Sequence, residues 1–148
     1  MKKFDIKFVN DAQKKVCKKS CCKEGVIICD DYYETFVSPL EDWGVRDYKE
    51  QWREGMERIK DHDVSCLITA VTGLGIKPKV NYYVLYKIDS TVYFQPQFLG
   101  PDIVKRKLPP FDKDSCCLYI PSRVTHDESG EKYDEWSLPL KTVLNFLD

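Results

Sequence analysis

The sequence predicts an α+β fold: a single domain over residues 1–148, with a mainly antiparallel sheet packed by one long helix and shorter terminal helices. Three observations carry this. The chain has 148 residues, of which 43% are hydrophobic, enough for one self-sufficient core and too apolar for disorder. One segment alone has long helical periodicity. Strand-like segments cluster after it without the β-α-β alternation that a parallel sheet requires.

Phe4–Val9 alternates weakly and reads as a short strand. The Lys-rich Asp11–Cys22 reads as a short helix. Val26–Val37, opened by Gly25 and closed by Ser38-Pro39, is rich in β-branched and aromatic residues and reads as one strand. Val45–Lys60 is the clearest element. Val45, Tyr48, Trp52, Met56 and Ile59 recur at helical spacing and fall within about 80° on a wheel. Gly44 is an acceptable N-cap, and Asp47 sits in the first turn, where the helix dipole favours an acid. Asp61-His62-Asp63 ends the pattern. Cys66–Val71 reads as a buried strand, and Gly73, Gly75 and Pro78 as a loop. Tyr82–Ile88 and Val92–Phe98 flank Asp89-Ser90-Thr91 as a hairpin. Pro96 cannot donate to a ladder, which places an edge or a bulge there. Ser115–Ile120 reads as a strand, Asp127–Gly130 as a turn, Lys132–Leu138 as a last strand and Leu140–Leu147 as a terminal helix.

The net charge of −1 hides an alternation: +5 over residues 1–24, −6 over 25–64, +4 over 65–108 and −4 over 109–148. Such blocks bear on partners and on steering. Met1-Lys2-Lys3 resembles the start of a signal peptide, but Asp5, Lys7, Asn10 and Asp11 break up the apolar stretch that such a peptide needs next. No apolar run is long enough to span a membrane. The expectation is a cytosolic chain whose seven cysteines are reduced thiols, their odd number arguing against a disulfide framework.

Catalytic signatures fail in turn. There is no GxGxxG, P-loop or GxSxG pattern, and Gly73-Leu74-Gly75 reads as a loop. His62 and His126 both fall in charged turns, where solvent exposure explains them better than a general-base role. Cys17, Cys21 and Cys22 would be the first suspects for a metal. The paired CxxC knuckles of structural zinc are absent, so no metal and no cofactor is expected. Cys29, Cys66, Cys116 and Cys117 read as small hydrophobes, with Cys116 and Cys117 on opposite sides of a strand. Nucleic acid is an unfavoured partner. Tyr82, Tyr83, Tyr86, Tyr93 and Phe94 could line an RNA-binding sheet, but a pI near 6.1 is wrong for a phosphate-tracking surface.

Several segments appear in a recognisable order. Asp31-Tyr32-Tyr33-Glu34-Thr35-Phe36 is followed by Ser38-Pro39-Leu40 with Trp43. Asp47 to Gly55 then runs into Glu57-Arg58-Ile59, with Ser65 to Thr69 and Val92-Tyr93-Phe94-Gln95 beyond. The series closes on Gly130-Glu131 and Glu135-Trp136-Ser137-Leu138. From Gly25 to Leu147 the chain resembles immunity proteins of bacterial contact-dependent growth inhibition systems. It departs from them at Asp30, where glycine is expected, and in the Lys/Cys-rich segment Lys14–Lys23. The resemblance implies a non-catalytic cytosolic protein that binds the C-terminal toxin domain of an inhibitor delivered by a neighbouring cell, expected to be a nuclease. The alternative class is a small RNA-binding or nuclease-like protein.

One surface fits a basic partner. Asp47, Glu50, Glu54, Glu57 and Asp61 are spaced 3, 4, 3 and 4 apart and centre about 180° from the apolar face of the helix. This row, with Asp30 and Asp31, is the candidate partner-binding site. A nuclease must attract phosphates, so its cleft is basic, and an acidic row could compete for it.

Overall fold

The computed structural model describes residues 3–9, 21–74, 77–100, 112 and 115–148. The elements are β1 (Phe4–Phe8), β2 (Cys22–Cys29), β3 (Tyr32–Pro39), α1 (Val45–Asp61), β4 (Val64–Thr72), β5 (Lys79–Ile88), β6 (Thr91–Leu99), β7 (Trp136–Pro139) and α2 (Leu140–Leu144). Short 3-10 turns cover Cys116–Tyr119 and Asn145–Leu147.

The strands form two antiparallel sheets, ordered β1-β2-β3 and β4-β5-β6-β7. The expectation of one sheet is corrected. Pairing between segments distant in sequence leaves no local signal, so the division was not legible. The expected strand Val26–Val37 is also corrected. It is two strands joined by a turn at Asp30-Asp31, with Cys29 facing Tyr32 in register. Asp30 takes φ 59 there and Asp89 takes φ 56 in the matching β5-β6 turn. Asp is among the few non-glycine residues that enter this region readily. The departure from glycine at position 30 is thus tolerated by the turn.

The expected strand Ser115–Ile120 is instead the 3-10 turn, because a short apolar run carries no decisive period. Ordered pairing of the last strand begins only at Trp136. Lys132 makes an isolated bridge to His126. The expected helix Asp11–Cys22 lies mostly outside the described residues, but Cys22 opens β2. Pro96 sits where β6 has lost its neighbour on one side, since β7 pairs only from Thr91 to Phe94.

α1 lies antiparallel along β4 and buries Tyr48, Gln51, Trp52, Gly55, Met56 and Ile59. β4 is an edge strand, and open backbone groups at an edge invite foreign strands. Here helix side chains occupy them. Tyr48 Oη accepts from Val71 N–H at 3.1 Å, and Gln51 Oε1 accepts from Ile68 N–H at 2.7 Å. Gln51 Nε2 donates to Cys66 O at 2.9 Å and Trp52 Nε1 to Ile68 O at 2.7 Å. In return, Ser65 Oγ donates to Gly55 O at 2.7 Å. The register shift between Ile68 and Ala70 bends β4 at the same place. Aromatic contacts join the sheets to the helix: Phe8 lies 4.9 Å from Trp52, and Phe4 stacks on Phe94 at 5.2 Å.

Candidate functional site

The exposed side of α1 holds most of the predicted acids. Glu50, Glu54, Glu57 and Asp61 are exposed, while Asp47 is half-buried. Asp47 has a structural task as well: its Oδ2 accepts from Gly44 N–H at 2.9 Å and closes the helix start. Glu57 meets Lys60 at 2.8 Å, and that ammonium holds its carboxyl below the usual range.

α1 carries five acids and five bases. On the wheel, Arg46, Lys49, Arg53 and Lys60 form a second row about 90° from the acids. The outward face is therefore two adjacent rows of opposite sign, a pattern that residue spacing gives if the bases are plotted with the acids. Asp30 and Asp31 lie elsewhere. Their turn is flanked by Cys29, whose sulfur accepts from Trp136 Nε1, and by Tyr32, which packs on Trp136 at 4.9 Å. Trp136 belongs to β7, three strands from β4 and so about 14 Å across the sheet. The structure does not bring the turn acids and the helix row into one cluster.

The proposed base-stacking aromatics are used by the core. Tyr82, Tyr83, Tyr86 and Phe94 are at most 4% exposed. The Tyr83 hydroxyl bonds Glu34, Tyr86 Oη donates to Pro121 O at 2.9 Å, and Arg123 covers the Tyr93 ring at 4.3 Å. Arg123 also grips Glu135 through two bonds, at 2.9 and 2.8 Å. Burial pushes the Glu135 carboxyl up, but the hydrogen bonds from Arg123 and Gln95 outweigh it and the net shift is downward. His62 ends α1, with Nδ1 3.3 Å from Arg58 O. His126 lies in the loop before β7, its Nδ1 2.9 Å from Thr125 Oγ1.

The cysteines differ from expectation. Cys17 lies outside the described residues, and Cys21 is exposed just before β2. The structure gathers Cys66, Cys116 and Cys117 instead, with sulfurs all within 4.8 Å of one another. The expectation that Cys116 and Cys117 point apart fails because they lie on a 3-10 turn and not on a strand. Cys66 and Cys116 are 50 residues apart in sequence, so no spacing motif could announce the trio. Cys66 Sγ donates to Cys116 Sγ at 3.6 Å, and hydrogen bonding within the trio shifts the Cys117 thiol down while both partners are pushed up. Cys116 and Cys117 border an open cavity of about 560 Å³ that Arg58, His62 and Glu54 also line, while Cys66 lies buried behind them.

Among the described residues, no helix is long and apolar enough to cross a membrane. Residues 38–146 match the family model described as the CdiI N-terminal domain. The chain is 32% identical over 125 residues to the immunity protein CdiI of Enterobacter cloacae subsp. cloacae, covering 81% of each. Its fold superposes, with a TM-score of 0.82 and 27% identity, on a chain from the CdiA-CT/CdiI toxin and immunity complex of Enterobacter cloacae, covering 97% of this chain and 95% of that one. This chain belongs to the CdiI family of immunity proteins.

Proposed function

We propose that the protein binds and neutralises the C-terminal toxin domain of a contact-dependent growth inhibition effector, in the cytosol and without catalysis of its own. The observation that carries this reading is the likeness in fold, over 97% of the chain, to a member of a toxin and immunity complex. The toxin is read as a nuclease. Its basic cleft would meet the acidic row Glu50, Glu54, Glu57 and Asp61, with Asp47 at its start, and the Asp30-Asp31 turn would make a separate contact. The neighbouring row of Arg46, Lys49, Arg53 and Lys60 would set the orientation, since opposite charges side by side accept a partner in one register only.

The RNA-binding and nuclease-like alternatives have less support, because the aromatics such a sheet would display are buried and His62 and His126 sit in separate turns. Co-expression with the C-terminal toxin domain of the cognate effector tests the proposal. Restored growth and a stable complex on purification are expected, with tRNA left intact by the purified protein alone. Continued growth arrest with the protein present and folded would overturn it, as would tRNA cleavage that disappears in His62→Ala or His126→Ala.

A further inference from the structure

We propose that Cys66, Cys116 and Cys117 form a binding site for a thiophilic divalent cation, zinc being the probe of choice, with the fourth coordination position open to the cavity beside His62. Zinc bound to sulfur at about 2.3 Å in a tetrahedron needs sulfurs about 3.8 Å apart. Cys66 and Cys116 stand 3.6 Å apart, and all three sulfurs lie within 4.8 Å of one another. A contraction of at most about 1 Å would bring all three sulfurs to that spacing.

The surroundings suit thiolates. Gln51 Nε2 points at two of the sulfurs, 3.8 Å from Cys66 and 4.0 Å from Cys116, the kind of outer contact that orients metal ligands. Three thiolates around a divalent ion leave a net negative charge, and the Arg58 guanidinium lines the same cavity. The Tyr82 hydroxyl is buried and has no hydrogen-bond partner among the described residues, and its electrostatic neighbours begin with Cys66 and include Cys116 and Cys117. His62 lines the same cavity, but its ring nitrogens lie outside the group of ligand atoms within 4.8 Å of one another, which leaves water as the fourth ligand.

The ion would tie the 3-10 turn Cys116–Tyr119 to β4 behind α1. Binding displaces thiol protons into solvent, so affinity should fall with falling pH. The site does not rest on the toxin-binding reading: its ligands come from β4 and the 3-10 turn, and zinc uptake is read on the free chain, although Arg53, Glu54 and Glu57 of the outward rows line the same cavity.

The test uses the full chain, reduced and metal-free, titrated with zinc chloride against a chromophoric chelator, with cobalt(II) as a spectroscopic substitute. We expect about one zinc per chain, a rise in melting temperature on adding zinc, and cobalt absorption showing thiolate charge transfer of multi-thiolate strength. Cys117→Ser, at a half-buried position, should weaken zinc binding by about tenfold or more and abolish the rise. The double variant Cys21→Ser with Cys22→Ser should bind as wild type. The proposal is overturned if wild type takes up no zinc, if cobalt shows at most one thiolate, if folded Cys117→Ser binds undiminished, or if the loss appears only in the Cys21/Cys22 double variant. It is equally overturned if the chain, purified without added oxidant, is already lighter by two hydrogens, with Cys66 and Cys116 joined as a disulfide.

Discussion

The two faces of α1 spend the same helix on different tasks. The inward face holds Tyr48, Gln51, Trp52, Gly55, Met56 and Ile59, all buried, and three of these residues hydrogen-bond the open edge of β4. The outward face carries balanced rows of acids and bases, among them the Lys60–Glu57 pair and the Asp47 cap. Changes on the first should move stability and leave encounter rates alone. Changes on the second should do the reverse.

Trp52→Ala is the largest expected loss. It empties a site in contact with Phe8 and Phe36 and leaves the Ile68 carbonyl without its donor. Urea unfolding should register about 3–5 kcal/mol, and a variant that melts like wild type would deny the inward face its role in stability. Gly55→Ala sharpens the same point. Alanine is the better helix former by about 1 kcal/mol, yet a Cβ there would stand 2.3 Å from Cys66 O and 3.0 Å from Leu67. Steric conflict should win, for a net destabilisation of about 1–3 kcal/mol. A gain in melting temperature would show that helix and strand can part cheaply.

Away from α1, Glu135 gives a pH-dependent contrast. Its carboxyl titrates below the ordinary value of 4.5 in the folded chain, so it contributes stability above that value and loses it as the pH falls through the lowered folded one. Glu135→Gln should cost about 1 kcal/mol at neutral pH, and the difference should shrink in acid unfolding series below pH 4.5. A difference that stays constant with pH would assign the loss to packing alone.

The inward face was legible in the sequence because Tyr48, Trp52, Met56 and Ile59 repeat with the period of a helix buried on one side. The hairpin Asp89-Ser90 was legible because β-branched runs flank it. Its counterpart at Asp30-Asp31 was not, because an Asp pair inside a continuous strand-like run is a weaker turn signal than a glycine. The Cys66–Cys116–Cys117 cluster, the split into two sheets and the distance between Asp30-Asp31 and α1 all depend on contacts between remote segments, which periodicity cannot report. Gln51 was invisible for another reason. A lone polar residue on a charged helix reads as surface until β4 is seen to need its amide.

The smallest expected change in stability accompanies the most informative change in binding. Glu50→Lys with Glu54→Lys should alter folding stability by no more than about 0.5 kcal/mol, since both side chains are exposed. Association of this double variant with the toxin domain should be followed by stopped flow across a salt series. If the acidic row steers the toxin, the on-rate should drop by about tenfold or more at low ionic strength and converge on the wild-type rate as salt screens the charges. A folded double variant with the wild-type on-rate at low salt would contradict that role, and the acidic row would then be a solvated helix face.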